Sequence, residues 1–378
     1  MNMRIDTPEA ADTRAMLRDS LTRYLADHYD FDQRRKLLDA AATEAPLWRG
    51  LAGLGVTAAT LPESAGGMDG SFLDTLTIME TLGGALAAEP YLSTVVLGAG
   101  LLARAGGPQA QPLLTAVGTG DAVIAFAHDE THSRFDATEL HTTLTRDGQG
   151  WTLNGRKSVV QCGPWATHLL VSARTANTAA TSLVLLDPKA SGVQRRDYRT
   201  LDGGWASELQ FEGVALQDSS LVGEAGGAQP QLERALDEAT LAACAEAIGV
   251  LRKLMTDTAD YLRQRKQFGV ALASFQVLQH RLADMHIAME QAAALTRAAA
   301  SQLDETPARR AYAVSSAKVM TGRACRTVGQ GAVQLHGGMG MTDELAIGHY
   351  FKRATQIELG FGSTDQHLRR VDRLSSAA

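Results

Sequence analysis

From Leu236 to Tyr261 the chain contains no proline and is rich in alanine in its first half, so the α-helix is its least costly regular conformation. Two further stretches of the same kind follow, Phe275–Leu303 and Ala308–Leu335. Consecutive long helices with apolar faces bury those faces against one another, which commits the C-terminal part to a helical bundle. The N-terminal part is also helical in texture between about Asp12 and Ala116. Leu17, Leu21, Tyr24 and Leu25 recur at helical spacing, and Leu73, Leu76, Ile78, Met79 and Leu82 supply the apolar residues of a helix over 72–88. Between these helical regions Leu61-Pro62-Glu63 and Gly66-Gly67 mark a loop.

The middle changes period. Val123–Ala127, Leu169–Val171 and Leu183–Leu186 are short apolar runs, Leu209-Gln210-Phe211 alternates, and Asp147-Gly148 and Asn154-Gly155 are hairpin-type dipeptides. The sequence therefore predicts an α–β–α order. A helical N-terminal domain occupies residues 1–120, a β domain 121–225 and a C-terminal helical bundle 226–378.

Composition limits the function. The 378 residues are 45% hydrophobic, enough for a large core, and carry a net charge of −6, which argues against a nucleic-acid partner. Cys162, Cys244 and Cys325 are far apart and in no metal spacing, so free thiols are expected and no metal site. The start, MNMRIDTPEA, lacks a basic and an apolar leader region, and no run of 18 apolar residues occurs. A cytoplasmic chain without a membrane span is the expectation.

Two segments are candidates for chemistry. Arg263, Arg265 and Lys266 stand beside Phe268 where a long helix is expected to end at Gly269, with Ser274 as a possible N-cap of the next. Such cations either complement a helix dipole or clamp a phosphate. Gln334-Leu335-His336-Gly337-Gly338-Met339-Gly340 is either a helix-ending loop or a close approach for a flat ligand.

Taken in order, these segments resemble the acyl-CoA dehydrogenase family. The matching pieces are Leu61-Pro62-Glu63 with Gly66-Gly67, Asn154-Gly155-Arg156-Lys157, the two segments above, Thr342-Asp343-Glu344 and Tyr350-Phe351-Lys352-Arg353, spread over nearly the whole chain. The resemblance implies a middle β-barrel-like domain and a C-terminal four-helix bundle. It also implies FAD, an acyl-CoA substrate and an acceptor such as electron-transfer flavoprotein. Oligomers, of identical or related subunits, would share each FAD. By the same resemblance Arg265, Gln267, Phe268, Leu272 and Phe275 reach the pyrophosphate and adenine end, and Gln334, Gly337 and Gly338 complete that half. Thr364 and Gln366 touch the cofactor near the active site, and Phe126, His128, Asp129, Val159 and Gln161 lie on the strands that flank the isoalloxazine.

The departures are equally specific. The family reaction removes an α-proton beside a thioester while the β-hydride goes to the flavin, so a base is required. Gly362 stands where the Glu is usually found, and Ala239 at the alternative position. Asp365 and Glu238 are the carboxylates next in line. A single helical step turns a side chain by roughly 100°, which points Glu238 away from the Ala239 position and suggests a solvated residue. Val159 and Gln161 replace a Trp and a Thr, and Asp129-Glu130-Thr131 with His132-Ser133 replaces the usual turn. These departures resemble the smaller subunits of heteromeric members, associated with dicarboxylyl-CoA or steroid side-chain thioesters. Four readings stay open. They are a subunit whose base lies on another chain, a homomeric dehydrogenase with an unrecognised base, another flavoenzyme on the scaffold, and a non-catalytic partner.

Overall fold

The computed structural model describes residues 7–40, 44–133, 139–148, 150–178 and 180–376. In chain order helices come first, a sheet follows, and helices return to the end. The chain divides into two compact units, one of Met1–Arg34, Phe72–Ala87 and Thr240–Ala378 and one of Arg35–Ser71 and Ala88–Ala239.

The N-terminal helices are α1 (Pro8–His28), α2 (Phe31–Ala40), α3 (Trp48–Gly53) and α4 (Phe72–Gly84). A π-helical stretch, Leu92–Ala99, then runs into α5 (Gly100–Ala105), and α6 spans Ala110–Gly118. α1 begins where it does because Thr7 accepts a hydrogen bond from the Ala10 N–H at 3.2 Å and Pro8 fits the first turn. Glu63–Ala65 form a short 3-10 turn, ended by Gly66 in the left-handed region at φ 80°.

Among the described residues the sheet unit holds eight paired strands: β1 (Ile124–Ala127), β2 (Thr143–Asp147), β3 (Gly150–Gln161), β4 (His168–Thr175), β5 (Thr181–Leu186), β6 (Val193–Arg199), β7 (Trp205–Leu216) and β8 (Leu221–Val222). Their order is β6-β7-β3-β2-β4-β5-β8, with β1 parallel to β4. β2 and β4 are also parallel; the other pairs are antiparallel. Leu144, Leu153, Leu169, Val171, Val184 and Phe211 form the core against this sheet. β6, an outer strand, exposes Gln194, Arg195, Arg196 and Asp197. Gly98 lets the π-helical stretch lie against β1, since a Cβ there would come within 2.7 Å of Ile124. Ser93 and Thr94 donate to the Ile124 carbonyl at 3.1 and 3.2 Å.

Asp147-Gly148 turns β2 into β3 as expected, but Asn154-Gly155 does not make a hairpin. Both residues lie inside β3, where Gly155 is needed because a Cβ would crowd Thr142 at 2.6 Å. The Asn154 side chain accepts from the Gly213 N–H at 2.7 Å.

α7 (Gln229–Gln264) is followed by the small strands β9 (Lys266–Gln267) and β10 (Val270–Ala271), then α8 (Gln276–Ala300), α9 (Pro307–His336), α10 (Ala346–Leu359) and α11 (Thr364–Ser375). α9 packs against α8, α10 and α11. The helix expected to end at Gly269 ends five residues earlier. Ser274 is not an N-cap: its hydroxyl donates to the Ala271 carbonyl at 2.7 Å and α8 starts after Phe275. Cys162, Cys244 and Cys325 are buried free thiols. Among the described residues no helix is long and apolar enough to cross a membrane.

Candidate functional site

In the sheet unit, β3 pairs with β7 in two registers. Lys157 faces Leu209 while Val160 faces Ser207, so Ser158 and Val159 together oppose one residue. This is a β-bulge, the device that re-aims a side chain. Val159 takes the left-handed conformation at φ 52° and is 48% exposed, unusual for a β-branched residue. Gln161 ends the same strand, half-buried. Phe126 on β1 stacks on His128, with ring centroids 5.5 Å apart, and Asp129 is exposed in the turn that follows. The Ser158 N–H donates to the Asp129 carbonyl at 2.9 Å, which joins turn and bulge.

A buried ionic cluster fixes this turn. Lys157 Nζ donates to the Glu130 carboxylate and the His128 carbonyl, both at 2.8 Å, and to Ser172 Oγ at 3.2 Å. Glu130 also accepts from the N–H groups of His141 and Thr142 at 2.7 and 3.1 Å. Burial pushes Lys157 down to about 8 despite Glu130. Burial also opposes ionisation of Glu130, but Lys157 and these hydrogen bonds hold its carboxyl below the usual range. Burial, with Lys157 nearby, lowers His128 to about 3, so its imidazole is neutral, with Nδ1 2.8 Å from Ser172 Oγ. The segments that hold Lys157 and Glu130 carry no local sign of this pairing, because the two residues lie 27 apart in sequence.

Glu238 is not solvated. It is 8% exposed and binds Arg104 at 2.9 Å and Arg234 at 2.6 Å. The helical step that turns it from the Ala239 position turns it toward these two guanidinium groups. Ala239 is fully buried.

In the helical unit, Phe268 and Gly269 both have positive φ, 53° and 82°, and form the two-residue turn of the β9–β10 hairpin. Phe268 is 92% exposed, its ring edge-on to Phe275 at 6.3 Å. Arg265 is exposed and its guanidinium has no partner among the described residues, whereas Arg263 pairs with Asp260 at 2.7 Å. Gln267 is exposed and Leu272 half-buried. Tyr261, near the end of α7, stacks on His336, at the end of α9, with centroids 4.3 Å apart. This stack brings the hairpin segment and the Gln334–Gly338 segment together. His336 itself is structural: its Nδ1 lies 2.8 Å from the Ala332 carbonyl and burial lowers its pKa. Gln334 is exposed, and a Cβ on Gly337 or Gly338 would meet nothing within 4 Å, so the backbone there is open.

The loop between α10 and α11 holds the remaining positions. Phe361 and Gly362 have φ of 56° and 105°. His367 Nε2 lies 2.9 Å from the Phe361 carbonyl and its Nδ1 3.1 Å from Ser315 Oγ. A Cβ on Gly362 would come within 2.8 Å of that Nε2. Thr364 is buried and its hydroxyl donates to Glu358, while Gln366 is half-buried and Asp365 exposed in the first turn of α11. Lys318, buried in α9, donates to the Ile357 and Glu358 carbonyls at 2.5 and 3.0 Å and anchors the approach to this loop.

Helices precede and follow a largely antiparallel sheet, the sheet unit carries a bulge beside a neutral imidazole, and the helical unit carries an open, arginine-bearing hairpin. The acyl-CoA dehydrogenase N-terminal, middle and C-terminal domain models match residues 8–121, 125–214 and 227–375, and the chain belongs to the acyl-CoA dehydrogenase family, whose members are FAD-dependent oxidoreductases of CoA thioesters. It is 33% identical over 337 residues to acyl-CoA dehydrogenase FadE27 of Mycobacterium tuberculosis, covering 86% of this chain and 87% of that one. A solved variant of the Tcur3481-Tcur3483 steroid ACAD superposes with a TM-score of 0.88 at 29% identity, over 97% of this chain and 99% of that chain. The ChsE4-ChsE5 complex from Mycobacterium tuberculosis gives 0.89 at 28% identity, over 98% of each chain.

Proposed function

We propose that this chain is one subunit of a heteromeric acyl-CoA dehydrogenase, holding part of an FAD site while the catalytic carboxylate comes from a related chain. One observation carries the reading: Gly362, at the usual base position, has a φ of 105° and no room for a side chain beside His367. Ala239, at the alternative position, is fully buried and cannot take a proton. The two nearby carboxylates do not compensate. Glu238 is held in ion pairs by Arg104 and Arg234, and Asp365 is exposed in the first turn of α11.

The residues present fit FAD. Its pyrophosphate needs cationic forks and open backbone, and Arg265 with Gly337 and Gly338 supplies both. In this reading Phe268, Phe275, Leu272, Gln267 and Gln334 pack the adenine end. Phe126, His128, Asp129, Val159 and Gln161 flank the isoalloxazine. Thr364, whose hydroxyl is held by Glu358, and Gln366, both in the first turn of α11, touch the cofactor near the reacting carbons. When bound, FAD would supply the acceptor for the β-hydride of the thioester. The neutral His128 adds no charge to that region, and the Lys157–Glu130 pair holds the turn that carries it. The exposed hairpin supports sharing of FAD with a second subunit, and the two-component relatives support a related rather than identical one. Electron-transfer flavoprotein, or a similar carrier, is the acceptor. The finer architecture in this reading is a barrel-like middle domain over 121–225 between a helical domain over 1–120 and a four-helix bundle over 226–378.

The test is co-expression with a related chain that carries the Glu, followed by flavin analysis and bleaching by a panel of CoA thioesters. The pair is expected to bleach, and the chain alone to be inactive. Turnover of the homogeneous chain at about 1–10³ per second would overturn the reading.

A further inference from the structure

We propose a second ligand site on the helical unit: a cavity that takes an organic anion with an apolar tail. Its volume is about 890 Å³, and α1, α2, α4, α7, α8 and α10 contribute to its wall. Cavities of this size hold drug-sized ligands. None of the residues assigned above to FAD or to the base positions lines it.

The hollow follows from how α4 and α7 cross. A Cβ on Gly83 would overlap the Glu246 carbonyl, and one on Gly249 the Glu80 carbonyl, so the two backbones touch. Gly84 and Gly249 then line the cavity without filling it, and a Cβ on Gly84 would approach nothing closer than 3.8 Å. Leu25, Ala26, Ala85 and Leu86 supply an apolar floor.

The charges around this floor do not cancel. Arg18, Arg34, Arg252, Lys253 and Arg297 line the cavity, against Asp30, Glu80 and Asp257, in a chain whose net charge is −6. Arg252 is matched by Glu80 at 2.8 Å and Lys253 by Asp257 at 2.6 Å. The Asp30 carboxylate caps α2 by accepting from the Gln33 N–H at 2.8 Å, and Arg34 donates to the Leu86 carbonyl at 3.0 Å. The guanidinium groups of Arg18 and Arg297 have no hydrogen-bond or ion-pair partner among the described residues. Both are exposed at the margin of the hollow. Two guanidinium forks beside an apolar floor suit a carboxylate or phosphate head with a hydrocarbon tail. A neutral lipid would leave the cations unmatched, and a bare anion would leave the floor wet.

The experiment is calorimetric titration of the full flavin-loaded protein with decanoate, decyl phosphate and decanol. At least one anion is expected to bind, and the comparison of the two tells a carboxylate head from a phosphate. Decanol is expected to bind at least tenfold more weakly. The R18E/R297E double variant should weaken anion binding by about tenfold or more, the loss of at least one charge-assisted hydrogen bond. Flavin content and thermal midpoint should not change, because both side chains are exposed. R18K/R297K should retain part of the affinity, and Gly84→Leu, which fills the floor, should remove it. Three results would overturn the proposal: no binding by either anion, decanol binding as well as the anions, or wild-type anion affinity in R18E/R297E or Gly84→Leu.

Discussion

The Glu358 carboxylate accepts two hydrogen bonds from Thr364, one from the hydroxyl at 2.8 Å and one from the backbone N–H at 3.3 Å, and so closes the α10–α11 loop on itself. Burial opposes charge on Glu358, but Thr364 and Arg326, at 2.7 Å, outweigh it and hold the carboxyl below its usual range. The loop that carries Gly362 is thus fastened at both ends by its own chain.

Thr364→Val keeps the shape and deletes the hydroxyl donor. It should cost about 1–3 kcal/mol of stability, since a buried carboxylate loses a partner. Urea unfolding measures this, and an unchanged midpoint would show that the loop does not depend on the bond.

Gly362→Glu places a carboxylate at the usual base position but should not produce an active enzyme. The side chain would meet His367, and the φ of 105° is one that only glycine adopts without strain. We expect a lower thermal midpoint, by an amount corresponding to about 1–3 kcal/mol. Acyl-CoA turnover in a variant as stable as the wild type would refute this.

Glu89 gives a pH dependence. Burial, opposed by the Leu47 N–H, raises its carboxyl to about 8, and its Oε2 has no hydrogen-bond partner among the described residues. Below the unfolded value near 4.5 the carboxyl is protonated in both states and costs nothing. As pH rises from there to about 8, the unfolded chain ionises first, and the fold loses up to about 1.4 kcal/mol per pH unit. Glu89→Gln removes this loss. Its stability advantage over the wild type should grow between pH 5 and pH 8 in denaturant titrations, and a difference independent of pH would exclude ionisation of Glu89 as the cause.

Arg265→Ala should leave the flavin-free fold unchanged, because the side chain is exposed and pairs with nothing among the described residues of its own chain. FAD retention through gel filtration should fall, with affinity reduced by about tenfold to a hundredfold, one charge-assisted bond. Full retention would make Arg265 a surface charge.

The coarse order of helices and sheet was legible because hydrophobic period and proline spacing are local signals, as Leu236–Tyr261 and Asp147-Gly148 illustrate. Asn154-Gly155 misled because the glycine answers a contact with Thr142, not a turn. Glu238 misled for the same kind of reason: its partner Arg104 lies 134 residues away. That neither Gly362 nor Ala239 carries a carboxylate was fully legible, since a missing side chain needs no geometry. That His367 and the backbone at Gly362 also deny it space was not, because φ and the packing of α11 are tertiary outcomes.

β6 bears on how the chain behaves when crowded. An outer strand offers unpaired amides to any neighbour, and two such edges can zip into a growing sheet. Here the strand carries the exposed residues Gln194, Arg195, Arg196 and Asp197, polar and charged side chains that a joining strand would have to pack beside. Strand addition at β6 is therefore a poor route to self-association, and concentrated protein should resist edge-to-edge fibril growth there. Replacing Arg195 and Arg196 with valine would remove that protection.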